Sequence, residues 1–220
     1  MLTDAHTHRA EPEPSVFSVY NLPIQEPDPG PCPHPALSVG IHPWNLEPER
    51  LEDQLRLVGQ GLLKPEVLAL GECGLDRLRG PSLHHQTEAF TAQVRLAEER
   101  QKPVIIHCVR CFSELLYLRK ALRPATPWII HGFVNKPETA RQLLQSGCYL
   151  SLGAALLTPD SGAANTLREM PPDRLLLETD DAPLSIREVY RAAAGILGIA
   201  EDELIQQIGR TFAEVFNRKP

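Results

Sequence analysis

Pro103-Val104-Ile105-Ile106-His107 is a short, unbroken apolar run that ends on an imidazole. A run with no polar alternation suits a strand buried on both faces, as in a parallel sheet covered by helices. The same grammar recurs on either side: Trp128-Ile-Ile-His131 and Leu175-Leu-Leu-Glu178 downstream, Val67-Leu-Ala-Leu-Gly71 followed by Glu72 upstream. Further strands are expected at Ala36-Leu-Ser-Val-Gly40, Ser15-Val-Phe-Ser-Val-Tyr20 and Cys148-Tyr-Leu-Ser151, and at the front in Leu2-Thr-Asp-Ala-His-Thr-His8.

Helical patterns fill the intervals. One is expected over Pro48–Leu63, and a second over Leu83–Arg100 with Phe90, Val94 and Ala97 on one face. A third turns Phe112, Leu115, Leu116 and Leu122 inward. The next opens at Pro137 and stops at Gly147, the usual asymmetry of helix ends. A short helix precedes Pro171-Pro172, Ser185 and Glu188 make a capping box, and the last helix buries Leu204, Ile205, Ile208, Phe212, Val215 and Phe216. Strands near residues 2, 16, 37, 68, 104, 128, 149 and 176, most followed by a helix, predict a closed (β/α)8 TIM-type barrel, an α/β fold, formed by residues 1–220 as one domain. An open doubly wound sheet is the rival, but no Gly-rich nucleotide loop follows the first strand.

Between Glu11 and Pro35 the chain carries Pro12, Pro14, Pro23, Pro27, Pro29, Pro31, Pro33 and Pro35. Proline at this density excludes a regular helix. The barrel is therefore expected to lack the helix after its first strand, and Gln25–Pro35 to be a loop inside the domain rather than a linker between domains.

Composition narrows the class. At 220 residues, 42% hydrophobic and 23% charged, the chain has the make-up of a globular enzyme or binding domain. A net charge of -6 argues against broad affinity for a nucleic-acid backbone, though not against a local site where cations do that work. No apolar run approaches membrane-spanning length, and no basic segment followed by an apolar one opens the chain, so a cytoplasmic protein without membrane association is expected. Five scattered cysteines, Cys32, Cys73, Cys108, Cys111 and Cys148, suit reduced thiols better than a disulfide framework. Cys108-Val-Arg-Cys111 has no second such pair and reads as small residues at a strand-to-helix junction.

His6 and His8, two residues apart, project to one face of an extended strand. Alone they are weak evidence, since such a pair is more often two exposed polar residues at a strand end than a ligand pair. However, His42, Glu72, His107, His131 and Asp180 also stand where apolar strands stop, and a barrel gathers the C-terminal ends of its strands at one mouth. Imidazoles and carboxylates gathered this way predict a divalent-metal site.

On His6-Thr-His8, Gly40-Ile-His-Pro43, Gly71-Glu-Cys-Gly-Leu-Asp76, the strand ending at His107, His131-Gly-Phe133 and Glu178-Thr-Asp180, the whole chain resembles the TatD-related deoxyribonucleases, a branch of the metal-dependent amidohydrolase superfamily. The resemblance implies one ion held by His6, His8, Glu72 and Asp180, with Glu72 bridging to a second held by His107 and His131. It also implies Glu72 and Asp180 as catalytic groups. This sequence departs from the pattern in His107-Cys-Val-Arg110, where the family usually has His-x-Arg, and in His131-Gly-Phe-Val-Asn-Lys136, where it usually has His-Cys-Phe-Ser-Gly. Those departures, with the missing first helix, resemble a shorter subgroup.

The chemistry expected of two adjacent divalent ions (Zn2+, Mg2+ or Mn2+) is hydrolysis, with Asp180 accepting the proton of the attacking water. His42, Arg110 and Lys136 are candidates to position a phosphate; for the last two an ordinary solvated helix start is the alternative. Asp4, Asp76 and Glu178 are expected to orient neighbours rather than touch metal. The favoured substrates are single-stranded DNA ends or small phosphodiesters. Hydrolysis of an amide, lactone or aminoacyl ester on the same site is the alternative, and a non-catalytic metal-binding scaffold a third. Nothing calls for an obligatory protein partner.

Overall fold

The computed structural model describes residues 1–23 and 32–220. Eight strands, β1 (Leu2–Thr7), β2 (Val16–Leu22), β3 (Ala36–Val39), β4 (Val67–Asp76), β5 (Val104–Val109), β6 (Trp128–Ile130), β7 (Cys148–Leu152) and β8 (Leu175–Leu177), pair in chain order and all in parallel. A parallel bridge between Thr7 and Asp180 brings the two edges together: Asp180 N–H donates to His6 O and His8 N–H to Asp180 O, both at 3.0 Å. The barrel expected from the strand rhythm is the fold observed.

Helices α1 (Leu51–Gly61), α2 (Leu83–Arg100), α3 (Phe112–Leu122), α4 (Pro137–Gln145) and α5 (Gly162–Glu169) follow β3 to β7 in turn, and α6 (Ile186–Leu197) and α7 (Glu201–Phe216) follow β8. No helix separates β1 from β2 among the described residues, as the prolines require. The loop expected over residues 25–35 lies mostly outside the described residues. What replaces the missing helix is a carboxylate: Glu13 accepts from Ser185 Oγ at 2.6 Å and from Ile186 N–H at 3.1 Å, tying the β1–β2 connection to the N-terminus of α6. The expected capping box is present, with Ser185 N–H donating to Glu188 Oε2 at 2.9 Å. Cys108 lies in β5, Cys111 caps α3, and all five thiols are free.

The alternation of β5 and β6 explains where the imidazoles go. Val104, Ile106 and Ile130 pack with helix residues such as Phe90 and Leu115 outside the barrel. Ile105 and Ile129 belong to an inner core with Val19, Ala36 and Leu176, and His107 and His131 share their side of the strand two residues further on. Phe212, Val215 and Phe216 of α7 complete that inner core. Phe212 meets Phe17, near the start of β2, edge to face at 5.6 Å, and Tyr149, near the start of β7, bonds Glu214. Helix α7 therefore floors the barrel at the end opposite the imidazoles. Ile205, expected inside, is only partly buried on this helix; Thr211 is buried in addition.

Candidate metal centre

Glu72 is the hub of the site. It is 4% exposed, and each of its oxygens faces a different group of imidazoles. Oε2 lies 3.3 Å from His6 Nε2 and 3.2 Å from His8 Nε2. Oε1 lies 2.8 Å from His131 Nε2, 2.9 Å from His107 Nδ1 and 3.2 Å from His42 Nε2. Asp180 Oδ1 stands beside the first group, 3.7 Å from His6 Nε2 and 3.6 Å from His8 Nε2. All six expected ligand residues, and His42, thus meet at one end of the barrel.

The Gly71-Glu-Cys-Gly motif earns its glycines here. A Cβ on Gly74 (φ +148) would sit 2.0 Å from His107 O, so only glycine lets β4 press against β5 beside the hub. Glu72 N–H donates to Asn21 Oδ1 at 2.7 Å. Asp180 is held with φ +54, a left-handed conformation unusual outside glycine, by its two backbone bonds to the β1 end. Next to it, Thr179 donates through its amide and hydroxyl to Asp4 at 3.0 and 2.6 Å, so Asp4 orients the Asp180 loop, and its own carboxyl is pushed by burial to about 7.

Outer carboxylates fix how the imidazoles present themselves. His107 Nε2 lies 3.2 Å from Asp76 Oδ2, which leaves Nδ1 turned to Glu72. His131 Nδ1 is buried 3.5 Å from Glu178 Oε1 without an aligned hydrogen bond, Glu178 Oε1 accepts from Gly132 N–H, and Nε2 is turned to Glu72. If the outer nitrogens carry the protons, bare lone pairs on His107 and His131 face a carboxylate oxygen at under 3 Å, an arrangement that asks for a cation between them. His42 differs. Its Nδ1 accepts from Trp44 N–H at 3.1 Å, so the proton belongs on Nε2, and His42 is a donor toward the site although its distances alone would group it with Glu72 and His107 as ligands.

The buried Glu72 carboxylate draws positive charge to this end of the barrel. Burial alone would raise the Glu72 carboxyl, but His131, with hydrogen bonds from His107, His131 and His42, holds it well below the usual carboxylate range. Burial would lower His131, but the Glu72 and Glu178 carboxylates keep it well above the usual imidazole value. Asp180 is raised, chiefly by burial. Buried His6 is the sharpest sign: neither of its nitrogens has an aligned hydrogen-bond partner among the described residues, although Nε2 points at two carboxylates. Such a group is stable when an ion takes its lone pair.

The cleft over these groups has a volume of about 450 Å3 and is also lined by Asn21, Pro23, Trp44, Asn45, Cys108, Val109 and Asp181. Arg110 and Lys136 do not line it; both are exposed, Arg110 where the chain turns with φ +54 into α3 and Lys136 at the N-terminus of α4. Asn21 and Trp44 carry no signal that the sequence reading used, since each acts through a neighbour brought close only by the fold.

The family model described as TatD related DNase matches residues 33–217. The chain belongs to that family. Among its relatives is the uncharacterized metal-dependent hydrolase YcfH of Escherichia coli (strain K12), 32% identical over 197 residues, which are 82% of this chain and 73% of that protein. The 3'-5' ssDNA/RNA exonuclease TatD of Pantoea vagans is 36% identical over 177 residues, covering 76% of this chain and 64% of the relative. The crystal structure of YJJV, a TatD homolog from Escherichia coli K12, superposes with a TM-score of 0.80 at 23% identity, covering 99% of this chain and 98% of that one. With TatD proteins this chain shares the barrel, and it is a metal-dependent hydrolase of the TatD type, with groups of side chains that could hold a metal ion. No helix among the described residues is long and apolar enough to cross a membrane.

Proposed function

We propose that the protein hydrolyses phosphodiester bonds at single-stranded nucleic-acid ends or in small phosphodiesters, using two divalent ions held across Glu72. The observation that carries this reading is the division of imidazoles between the two oxygens of one buried carboxylate. His6, His8 and Asp180 with Oε2 would hold one ion, and His107 and His131 with Oε1 the other. Ions bound there would acidify an attacking water and offset charge on the phosphoryl oxygens. Asp180, beside the candidate position formed by His6 and His8, would accept the water's proton. His42 donates from Nε2 to a phosphate oxygen, consistent with its acceptor bond at Nδ1. The identity of relatives such as the Pantoea vagans exonuclease supports nucleic acid as the substrate class. The free cysteines fit a reducing, cytoplasmic setting.

The test compares end-labelled single-stranded DNA with closed circular duplex, each with Mg2+, Mn2+, Zn2+ or EDTA at several salt concentrations. Shortening of the single strand that EDTA abolishes, an intact circle and a shallow salt dependence are expected, since only one or two phosphates are neutralised. Cutting that EDTA leaves untouched, or efficient nicking of the circle, overturns the reading.

A further inference from the structure

Trp44 is the one large aromatic side chain lining the cleft among the described residues, and at 44% exposure it is open to solvent. Its orientation is fixed: Nε1 donates to Asp76 Oδ2 at 2.6 Å, and the ring packs edge to face with His42 at 4.8 Å and His107 at 5.6 Å. Over the indole, 3.7 Å from its centroid, lies the Arg79 guanidinium. Two arginines follow β4, and they have different fates. Arg77 pairs with Glu114. For Arg79 no carboxylate partner exists among the described residues, so its charge stays available beside Trp44.

The turn that carries Arg79 is built rather than loose. Asp76 Oδ1 accepts from the amides of Leu78 and Arg79 at 2.7 and 3.2 Å. Buried Gln86 donates to the carbonyls of Asp76, Arg79 and Pro81. Gly80 (φ +87) lets the turn lie against Pro43, because a Cβ there would come within 2.4 Å of Pro43 O. An exposed arginine is thus delivered onto an exposed tryptophan next to the candidate metal centre. An indole and a guanidinium are both planar surfaces on which nucleobases stack, and the guanidinium keeps in-plane N–H donors for a phosphate.

We propose that Trp44 and Arg79 form the subsite for the nucleotide adjoining the scissile phosphate, with the base stacked on the pair and its phosphate held by Arg79. This rests on the phosphodiesterase reading of the cleft and specifies it: the substrate carries a base beside the cleaved bond. It also supplies a cation packed on the cleft-lining Trp44, although Arg79, like Arg110 and Lys136, does not itself line the cleft.

The chain has two tryptophans, and Trp128 is fully buried, so ligand-dependent quenching reports on Trp44. The 220-residue chain in EDTA is titrated with a thymidine dinucleotide and with its abasic counterpart. Saturable quenching by the dinucleotide alone is expected, absent in Trp44→Ala and weakened on the order of tenfold in Arg79→Ala, whose side chain is exposed and makes no buried contact. With metal, the preference for base-bearing over abasic substrate should fall on the order of tenfold or more in both variants. Quenching that persists in Trp44→Ala, equal binding of the abasic compound, or an unchanged preference overturns the subsite. Failure of the wild type to cleave either substrate, with quenching intact, would fault the phosphodiesterase reading and leave the subsite standing.

Discussion

The side-chain oxygen of Asn21 accepts the backbone N–H of Glu72 at 2.7 Å and the hydroxyl of Ser38 at 3.1 Å. A residue from β2 thereby holds the main chain of the β4 residue that faces both groups of imidazoles. Asn21→Ala removes the acceptor from a buried N–H, a loss of about 1–2 kcal/mol. Urea unfolding should show that loss, and metal titration a weaker affinity at both candidate positions. Unchanged stability and affinity would show that Asn21 does not set the hub.

Glu72→Gln should lower occupancy of both ions and abolish hydrolysis, whereas His131→Ala should mainly empty one. Metal analysis of the purified variants reads this directly. Two tightly bound ions in Glu72→Gln would refute a shared ligand. The wild type should also melt at lower temperature after EDTA treatment, because ions that bind only the folded chain stabilise it by mass action.

Asp180→Asn keeps the size and the two backbone bonds to the β1 end but removes the proton acceptor. A fall in kcat of roughly 10²- to 10⁴-fold at saturating metal is expected. A small change in kcat with a large change in metal affinity would make Asp180 a ligand only.

Away from the site, Glu98 on α2 accepts from Ala125 N–H at 2.9 Å, from Thr126 N–H at 2.8 Å and from the Thr126 hydroxyl, holding the connection before β6. Burial would raise its carboxyl, but these bonds outweigh it and the group titrates below its usual value. A depressed folded value means the stabilisation is complete above the unfolded glutamate range and disappears as pH falls through the folded value. Glu98→Gln should therefore cost about 1 kcal/mol near neutral pH, with the difference from wild type closing in acid. Urea titrations across that range check the sign.

The strands and the convergence of the candidate ligands at their ends were legible because one physical rule produces both. A double-sided apolar run such as Val104–Ile106 must be central in a parallel sheet, and the residue that ends it must emerge at the mouth. The glycines of Gly71-Glu-Cys-Gly were legible as a motif, although their reason, the contact of Gly74 with His107 O, is tertiary. Substrate contacts were harder. Arg110 and Lys136 stand close to His107 and His131 along the chain, but a left-handed turn and a helix start leave them exposed outside the cleft. Arg79 sits in a polar Arg-Leu-Arg-Gly stretch with no periodicity. Only Asp76, Gln86 and Pro43, acting from three places in the chain, lay it over Trp44.

The floor that α7 makes with Phe212, Val215 and Phe216 settles the traffic through the barrel. A packed bottom leaves a single doorway, so whatever enters must back out the same way. A polymer cannot be threaded through and trimmed as it passes. A nucleic-acid end bound as proposed would reach the candidate metal centre only from that mouth, and both products would leave by it.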